Sequence, residues 1–311
     1  MELIRGLRHF RPHHAGCVAT IGAFDGVHLG HQAVLKTLME KGRELGLPST
    51  VILFEPLPRE FFNPHEAPAR LMSFREKFEA LRDLGIDRVV RVRFDASFRE
   101  MGAVDFIRCM FVEGLAAKYL VVGDDLRFGR NRSGDFKLLK SVGQSAGFDV
   151  VDTQTLTQDG ERVSSTRIRE VLAEADFQEA ERLLGRPYAI SGRVVVGRQL
   201  GRELGAPTAN VQLHRLRSPL RGVFAVEVQT PDGAWHKGVA NVGSRPTVDD
   251  LPQAILEVHL LDFAGDLYRR KIRTVFRKKL RDEIRFPGLD ALQQQIARDI
   301  ESARGYFSKP A

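Results

Sequence analysis

Two histidines, His28 and His31, stand three positions apart in a glycine-rich segment that reads GAFDGVHLGH. Glycines allow a close backbone approach to a phosphate, and imidazoles donate hydrogen bonds to its oxygens. The chain has neither the GxxxxGK[ST] pattern of P-loop NTPases nor the GxGxxG fingerprint of dinucleotide-binding folds. The spacing therefore predicts a phosphate site of another kind, although either histidine alone would ordinarily be a surface or structural residue.

The elements around this segment alternate between strand-like and helix-like patterns. An apolar run at 17–22 precedes the segment, and a helical period begins at about His31. Ser73 and Glu76 form a capping box for a later helix whose apolar face carries Phe74, Phe78 and Leu81. Further strand-like runs lie at 49–54, 88–94, 118–123 and 148–154, and helical stretches lie near 104–115 and 136–146. This alternation predicts an α/β domain with a parallel sheet, whose first strand delivers the histidine segment to the ligand-binding edge.

After about Gly185 the pattern changes to strand-like runs separated by Gly, Pro and Asp-rich turns. These runs predict a small antiparallel β-barrel. In the run 255–260, alternation places Ile255, Glu257 and His259 on one face of a strand and three apolar residues on the other. A helix over 289–307 is expected to cover a flank of the barrel with an apolar stripe of Leu289, Leu292, Ile296, Ile300 and Ala303.

Length and charge support this division. The chain has 311 residues and a net charge of +7, and we expect two domains, 1–184 and 185–311. The second part carries 21 basic against 13 acidic residues, so the surplus lies there. A basic nucleic-acid-binding barrel is thus an alternative, but charges that alternate over 269–285 are typical of a solvated strand face.

Composition also bears on location. The chain has only two cysteines, which suits a reducing compartment, and no apolar run is long enough to span a membrane. The first residues lack the apolar run of a secretion signal. We expect a cytoplasmic protein with no membrane partner, and the sequence leaves open whether it forms a homo-oligomer.

Several ordered segments resemble the prokaryotic bifunctional riboflavin kinase/FAD synthetase family. They are GxFDGVHxGH, VVGDDLRFGRNRSGDF and VSSTRIR in the first part, then GRQLGRELGAPTAN, GVANVGSRPTV and LEVHLLDF in the second. The resemblance runs from about Cys17 to Phe307. It implies a Rossmann-like nucleotidyltransferase domain of the HxGH type at 1–184, which adenylylates FMN to FAD and releases pyrophosphate. It also implies a riboflavin kinase barrel at 185–311, with ATP as substrate of both reactions.

For the first domain, the resemblance implies that His28 and His31 contact ATP phosphates in the catalytic site. Ser165, Thr166 and Arg169 would form a second nucleotide-binding group; without the resemblance, this stretch reads as a helix N-cap followed by a solvated arginine. Other residues implied to bind nucleotide are Gly22, Phe24, Asp25, Gly26 and Gly30. Residues implied to bind the flavin are Phe54, Phe62 and Asp125, with core packing as the alternative for either phenylalanine.

For the second domain, the resemblance implies that Glu257 is the general base that accepts the proton of the riboflavin hydroxyl. Taken alone, it would be an exposed glutamate on an edge strand. Thr208 and Asn210 of the PTAN segment would hold Mg²⁺ and ATP, since hydroxyl and amide oxygens suit that ion. The glycines implied to cover the phosphates, which could equally be turn residues, are Gly197, Gly201 and Gly205.

The chain departs from the family pattern at three positions. The family commonly has Asn where this chain has Ala23, many members have His where it has Leu57, and some have Asn where it has Asp125. All three lie in the first domain, so an enzyme with only the kinase half active is a second hypothesis. The expected ligands are riboflavin, FMN, FAD, ATP and Mg²⁺, with no nucleic acid.

Overall fold

The computed structural model describes residues 1–123, 126–153, 156–197, 205–246 and 252–308. The chain forms two compact units, the first from residues 1–67 and 74–164, the second from residues 68–73 and 165–311. Each unit is built around its own sheet.

The first unit contains a six-stranded parallel sheet in the order β1-β4-β3-β2-β5-β6. Strands β2 and β3 begin with fully buried runs, as expected for a sheet covered on both faces. The strands are β1 Glu2–Ile4, β2 Val18–Ile21, β3 Ser49–Glu55, β4 Arg88–Arg93, β5 Tyr119–Gly123 and β6 Asp149–Thr153. A short hairpin, β7 Thr157–Gln158 and β8 Glu161–Arg162, completes the unit.

Helices cover this sheet, and α1 packs on β2, β3 and β5. The core includes Ile52, Val90 and Leu120 from the strands, together with Phe106 and Met110. The helices are α1 Leu29–Leu45, α2 Pro58–Phe62, α3 Phe74–Asp83, α4 Ala96–Arg99, α5 Ala103–Ile107, which continues into a π-helical turn at Arg108–Val112, and α6 Phe136–Ala146.

The second unit contains a closed antiparallel barrel in the order β10-β13-β12-β11-β14-β9. Its strands are β9 Ala189–Val195, β10 Ala209–Gln212, β11 Gly222–Gln229, β12 Trp235–Pro246, β13 Pro252–Leu260 and β14 Lys271–Arg281. Helices α7 Ser165–Ala173 and α8 Phe177–Leu184 precede the barrel, and α9 Leu289–Phe307 follows it. Helix α9 packs on β11, β12 and β14, and Arg281 of β14 forms an ion pair of 2.7 Å with Asp299.

The parallel sheet and the barrel confirm the predicted fold class, and the helices at 136–146 and 289–307 have the predicted bounds. Three details differ from the prediction. Helix α1 begins at Leu29 rather than about His31, because His28 already caps it. Phe74 and Phe78 are only half-buried, and Leu289 is exposed, although the sequence pattern predicts it in the apolar stripe. The boundary predicted after residue 184 stays a prediction.

Candidate functional site

The order of the parallel sheet reverses at β2. Strands β3 and β4 lie on one side of β2, and β5 and β6 lie on the other. Open α/β sheets bind ligands beyond the carboxyl ends of the strands at such a reversal, because the connections leave in opposite directions and open a crevice. The loop at 22–28 follows β2 directly, so the glycine-rich segment lies at the position where this sheet is built to bind.

Backbone conformation distinguishes this loop. Phe24, Gly26 and Val27 all have positive φ, at 45°, 88° and 42°. Non-glycine residues rarely adopt this region, and they cluster at functional sites where the surrounding structure holds them. The amide of Val27 donates to the Phe24 carbonyl at 3.2 Å, and the Asp25 side chain is buried. The loop is therefore a tight, defined turn.

His28 and His31 lie together at the N-terminus of α1, with their rings stacked at 3.6 Å between centroids and 20° between planes. His28 is the N-cap, and its Nδ1 accepts a hydrogen bond of 3.3 Å from the amide of His31. Because Nδ1 is the acceptor, Nε2 carries the proton of the neutral ring. A Cβ on Gly30 would lie 3.2 Å from the His28 ring, so Gly30 permits this packing. The helix terminus and His28 can thus both donate to an anion.

Ser165, Thr166 and Arg169 lie in the second unit, at the beginning of α7. Ser165 is the first helical residue and Thr166 is exposed. Arg169 is half-buried, and its Nε donates to the carbonyl of Ala69 at 2.5 Å. Arg169 is therefore not a purely solvated helix residue, because its side chain binds the main chain of the segment 68–73.

The two phenylalanines predicted at the flavin site belong to one aromatic cluster. Phe54 contacts Phe94 at 5.7 Å between ring centroids, and Phe62 contacts Phe94 at the same distance. Phe54 is half-buried against the core, whereas Phe62 is 59% exposed. Core packing accounts for Phe54, and Phe62 presents an apolar face to solvent. Asp125, also predicted here, lies outside the described residues.

In the barrel, Glu257 lies in a row of polar residues across three adjacent strands. It is opposite Asn210 on β10 and opposite Asn241 on β12. Residues directly opposite in antiparallel strands share a face with Cβ atoms about 5 Å apart. The neighbours Leu256 and Val258 point into the barrel, so the predicted alternation of this strand is confirmed. The row brings one carboxylate and two carboxamides together on the outer face.

Two contacts fix the beginning of strand β10 beside this row of polar residues. The ring of His259 donates from Nδ1 to the carbonyl of Pro207 at 2.9 Å, which fixes the chain just before Thr208. A Cβ on Gly197 would collide with the carboxamide of Asn210, so glycine is required there by close approach. Gly205 has a φ of 79°, and a Cβ added there would meet no atom within 4 Å, so this glycine is explained by the turn and not by close packing. Gly201 lies outside the described residues.

One other group of metal-capable side chains, among the residues that the structure describes, consists of Glu2, His13 and His14. His14 is buried, and its Nδ1 accepts from the Arg11 amide at 2.9 Å. Its Nε2 therefore carries the proton and donates it to Glu2 at 2.9 Å. This hydrogen bond lowers the pKa of the Glu2 carboxyl. This tautomer leaves no lone pair on Nε2 of His14 for a metal. The group instead connects Glu2 of β1 to His14 by a hydrogen bond.

Three residues near the sites were not predicted as functional: Lys77, Asn241 and His259. Lys77 is 1% exposed, and Nζ donates to the carbonyl of Ala23 at 2.5 Å. Its signal in the sequence is a lysine within the apolar stripe of α3. Asn241 is a polar residue between two apolar positions of a strand, and His259 shares a face with Glu257. Their importance depends on cross-strand register, which the sequence does not contain.

Comparison with known proteins identifies a family for each part of the chain. A family model described as FAD synthetase matches residues 10–167, and one described as riboflavin kinase matches residues 184–307. A protein of Pseudomonas fluorescens named bifunctional riboflavin kinase/FMN adenylyltransferase is 54% identical over 311 residues, covering 100% of this chain and 99% of the relative. The chain belongs to the bifunctional riboflavin kinase/FMN adenylyltransferase family. The predicted family and both predicted enzyme activities are thereby confirmed.

A further relative and a solved structure are also similar to this chain. A protein of the same name from Escherichia coli strain K12 is 52% identical over 314 residues, and all of both chains is covered. A solved structure titled as a macrolide-efflux protein from Streptococcus pneumoniae superposes with a TM-score of 0.75 at 27% identity, over 98% of this chain and 99% of that one. Among the residues of our chain that the structure describes, no helix is long and apolar enough to cross a membrane.

Proposed function

We propose that the two activities of the family are divided between the two units, at the residues that the sequence predicts. FMN adenylylation takes place at the loop and helix terminus that follow β2, and riboflavin phosphorylation takes place on the barrel face around Glu257. The observation that carries this division is that each unit has its own cluster of polar groups suited to a different reaction. In adenylylation the attacking phosphate is already ionised, so the site needs hydrogen-bond donors that stabilise negative charge. In phosphorylation the attacking group is an alcohol, so the site needs a base that accepts its proton.

In the adenylyltransferase reaction, a phosphate oxygen of FMN attacks the α-phosphorus of ATP. A new P–O bond forms, the bond between the α-phosphorus and the bridging oxygen breaks, and pyrophosphate leaves with the electron pair. No proton must be removed, because the nucleophile is already ionised near neutral pH. The site then only has to stabilise charge on phosphate oxygens. Nε2–H of His28, the adjacent His31 and the positive end of α1 supply that stabilisation.

The flavin of FMN needs an apolar surface in the same unit as this loop. Phe62 offers an exposed ring backed by Phe61 and Phe94, at centroid distances of 5.6 and 5.7 Å. A planar ring system gains both buried area and ring stacking on such a surface. We therefore assign flavin contact to Phe62 and a supporting core role to Phe54.

In the kinase reaction, the terminal hydroxyl of riboflavin attacks the γ-phosphorus of ATP. Glu257 accepts the hydroxyl proton as the new P–O bond forms, and ADP leaves with the electrons of the broken P–O bond. Asn210 and Asn241 lie on either side of Glu257 in the row. Carboxamide donors at these positions restrict the carboxylate to the orientation in which it can accept the proton.

The residues beside Glu257 fit Mg²⁺. Thr208 and Asn210 offer one hydroxyl and one carboxamide oxygen, which are hard ligands. Because Gly197 has no side chain, the Asn210 carboxamide can lie against its backbone. Thr208 Oγ1 and Asn210 Oδ1 would hold the ion together with phosphate oxygens. When bound, the ion neutralises phosphate charge.

The test is one incubation of the purified protein with riboflavin, ATP and Mg²⁺, resolved by chromatography into riboflavin, FMN and FAD. The proposal requires FMN to appear first and FAD afterwards, with both lost when EDTA is in excess over Mg²⁺. FMN without FAD would remove the adenylyltransferase half, and no new flavin would overturn both assignments. A matched reaction that starts from FMN isolates the second step. We also propose, from the cysteine count alone, that the enzyme works in the cytoplasm.

A further inference from the structure

Lys77 is a buried charge beside the phosphate loop. It is 1% exposed and is among the largest fully buried side chains of the described residues. Helix α3 carries it into the interior, and its Nζ donates to the carbonyl of Ala23 at 2.5 Å. Ala23 lies within the loop that connects β2 to His28.

Burial of an ammonium group is costly, so a lysine at such a position requires compensation by polar partners. A leucine or methionine would complete the apolar stripe of α3 at lower cost. Two further charged side chains in this region, Asp25 and Glu76, are also buried, at 2% and 8% exposure. The loop and the helix that contacts it therefore bury three charged side chains, which is unusual because charged residues are almost never fully buried unless they are paired.

The hydrogen bond from Lys77 is made where the loop enters its tight turn. The carbonyl that Lys77 holds belongs to the residue immediately before Phe24, where the first unfavourable positive φ occurs. A backbone in this region persists only where its surroundings fix it. Lys77 forms a hydrogen bond to the loop where the turn begins. At the other end of the loop, the side chain of Gln32 donates to the carbonyl of Val27 at 2.9 Å.

We propose that Lys77 is a positioning residue of the adenylyltransferase site. It fixes the loop in its phosphate-binding conformation through Ala23, and it keeps a positive charge behind the surface that receives the triphosphate of ATP. This inference rests on the proposed function of the loop. Because the contact is to the backbone, it is unaffected by the presence of alanine at position 23, where the family commonly has asparagine.

The test compares Lys77→Met with the control Lys36→Met in the full-length protein. Lys36 is on α1 in the same unit, with a side chain that is 74% exposed. In the conversion of FMN to FAD, we expect Lys77→Met to raise the KM for ATP by about 10-fold or more, the usual weight of a hydrogen bond from a charged group. The control should keep the wild-type KM. Riboflavin phosphorylation by the same preparations should be unchanged.

A merely structural role predicts a different result. Loss of folded protein lowers the amount of active enzyme and the melting temperature but leaves the KM for ATP of the surviving enzyme at its wild-type value, and that outcome overturns the proposal. If Lys77→Met does not fold, Lys77→Gln keeps an N–H donor but loses the charge, and a smaller rise in the KM for ATP, still above the wild-type and control values, is required of it. Failure of the wild-type protein to make FAD would instead refute the proposed function of the loop.

Discussion

Replacement of Gly197 by alanine tests the arrangement around Glu257 without touching a reactive group. The added methyl carbon would lie within 2.6 Å of all three terminal atoms of the Asn210 side chain. Ordinary contacts of carbon with neighbouring atoms begin near 3.5 Å, so the carboxamide must move by about 1 Å. A displacement of that size in a positioning group can cost about 100-fold in rate. We therefore expect kcat/KM for MgATP in riboflavin phosphorylation to fall about 100-fold.

The assay measures FMN formation from riboflavin under initial-rate conditions, with FAD formation from FMN as an internal control. Gly305→Ala is the matched control, because a Cβ there meets no atom within 4 Å. Overpacking alone costs about 1–3 kcal/mol of stability, which a thermal unfolding curve detects. A folded Gly197→Ala protein with the wild-type kinase rate would refute the reasoning, since Asn210 would then have moved without consequence or would not hold the nucleotide.

Three further predictions concern other parts of the first unit. Phe62→Ala should raise the KM for FMN in adenylylation, because an exposed stacking surface is lost, while kinase rates stay unchanged. Burial raises the pKa of the Cys17 thiol to about 11, so at pH 8 a thiol reagent should label the half-buried Cys109 in the native protein and Cys17 only after unfolding. Because the pKa of Glu2 is lowered in the fold by His14, its stabilising contribution is present at neutral pH and lost as pH falls through the folded pKa. Glu2→Gln should therefore lower the melting temperature at pH 7, and its difference from the wild type should shrink as the pH is lowered below 4.5.

Local signals explain which elements were predictable. Helix α6 has the predicted bounds because both of its ends are set by neighbouring residues. The carboxylate of Asp135 accepts from the amide of Leu138 at 2.9 Å, and Gly147 ends the helix in the left-handed region. Such caps can be recognised from sequence. The sequence pattern predicts the beginning of α1 two residues too late, because it does not show that His28, a predicted phosphate ligand, also acts as the N-cap.

Other features depend on tertiary packing. The periodicity of α3 points to Phe74 and Phe78 as its buried face, yet the structure buries Glu76 and Lys77. The polar partner of Lys77, the carbonyl of Ala23, lies in a loop about 50 residues earlier, so no local pattern indicates it. In the barrel, alternation correctly placed Glu257 on the outer face. Its neighbours Asn210 and Asn241 follow from strand order and register, which depend on how the barrel closes.

The most direct test of the division of labour uses two substitutions and two reactions. Glu257→Ala should reduce FMN formation from riboflavin by about 100-fold or more, the usual contribution of a general base, while FMN is still converted to FAD. His28→Ala should reduce FAD formation and leave riboflavin phosphorylation unchanged. If each folded variant lost both reactions to the same extent, the assignment of the two activities to separate sites would be contradicted.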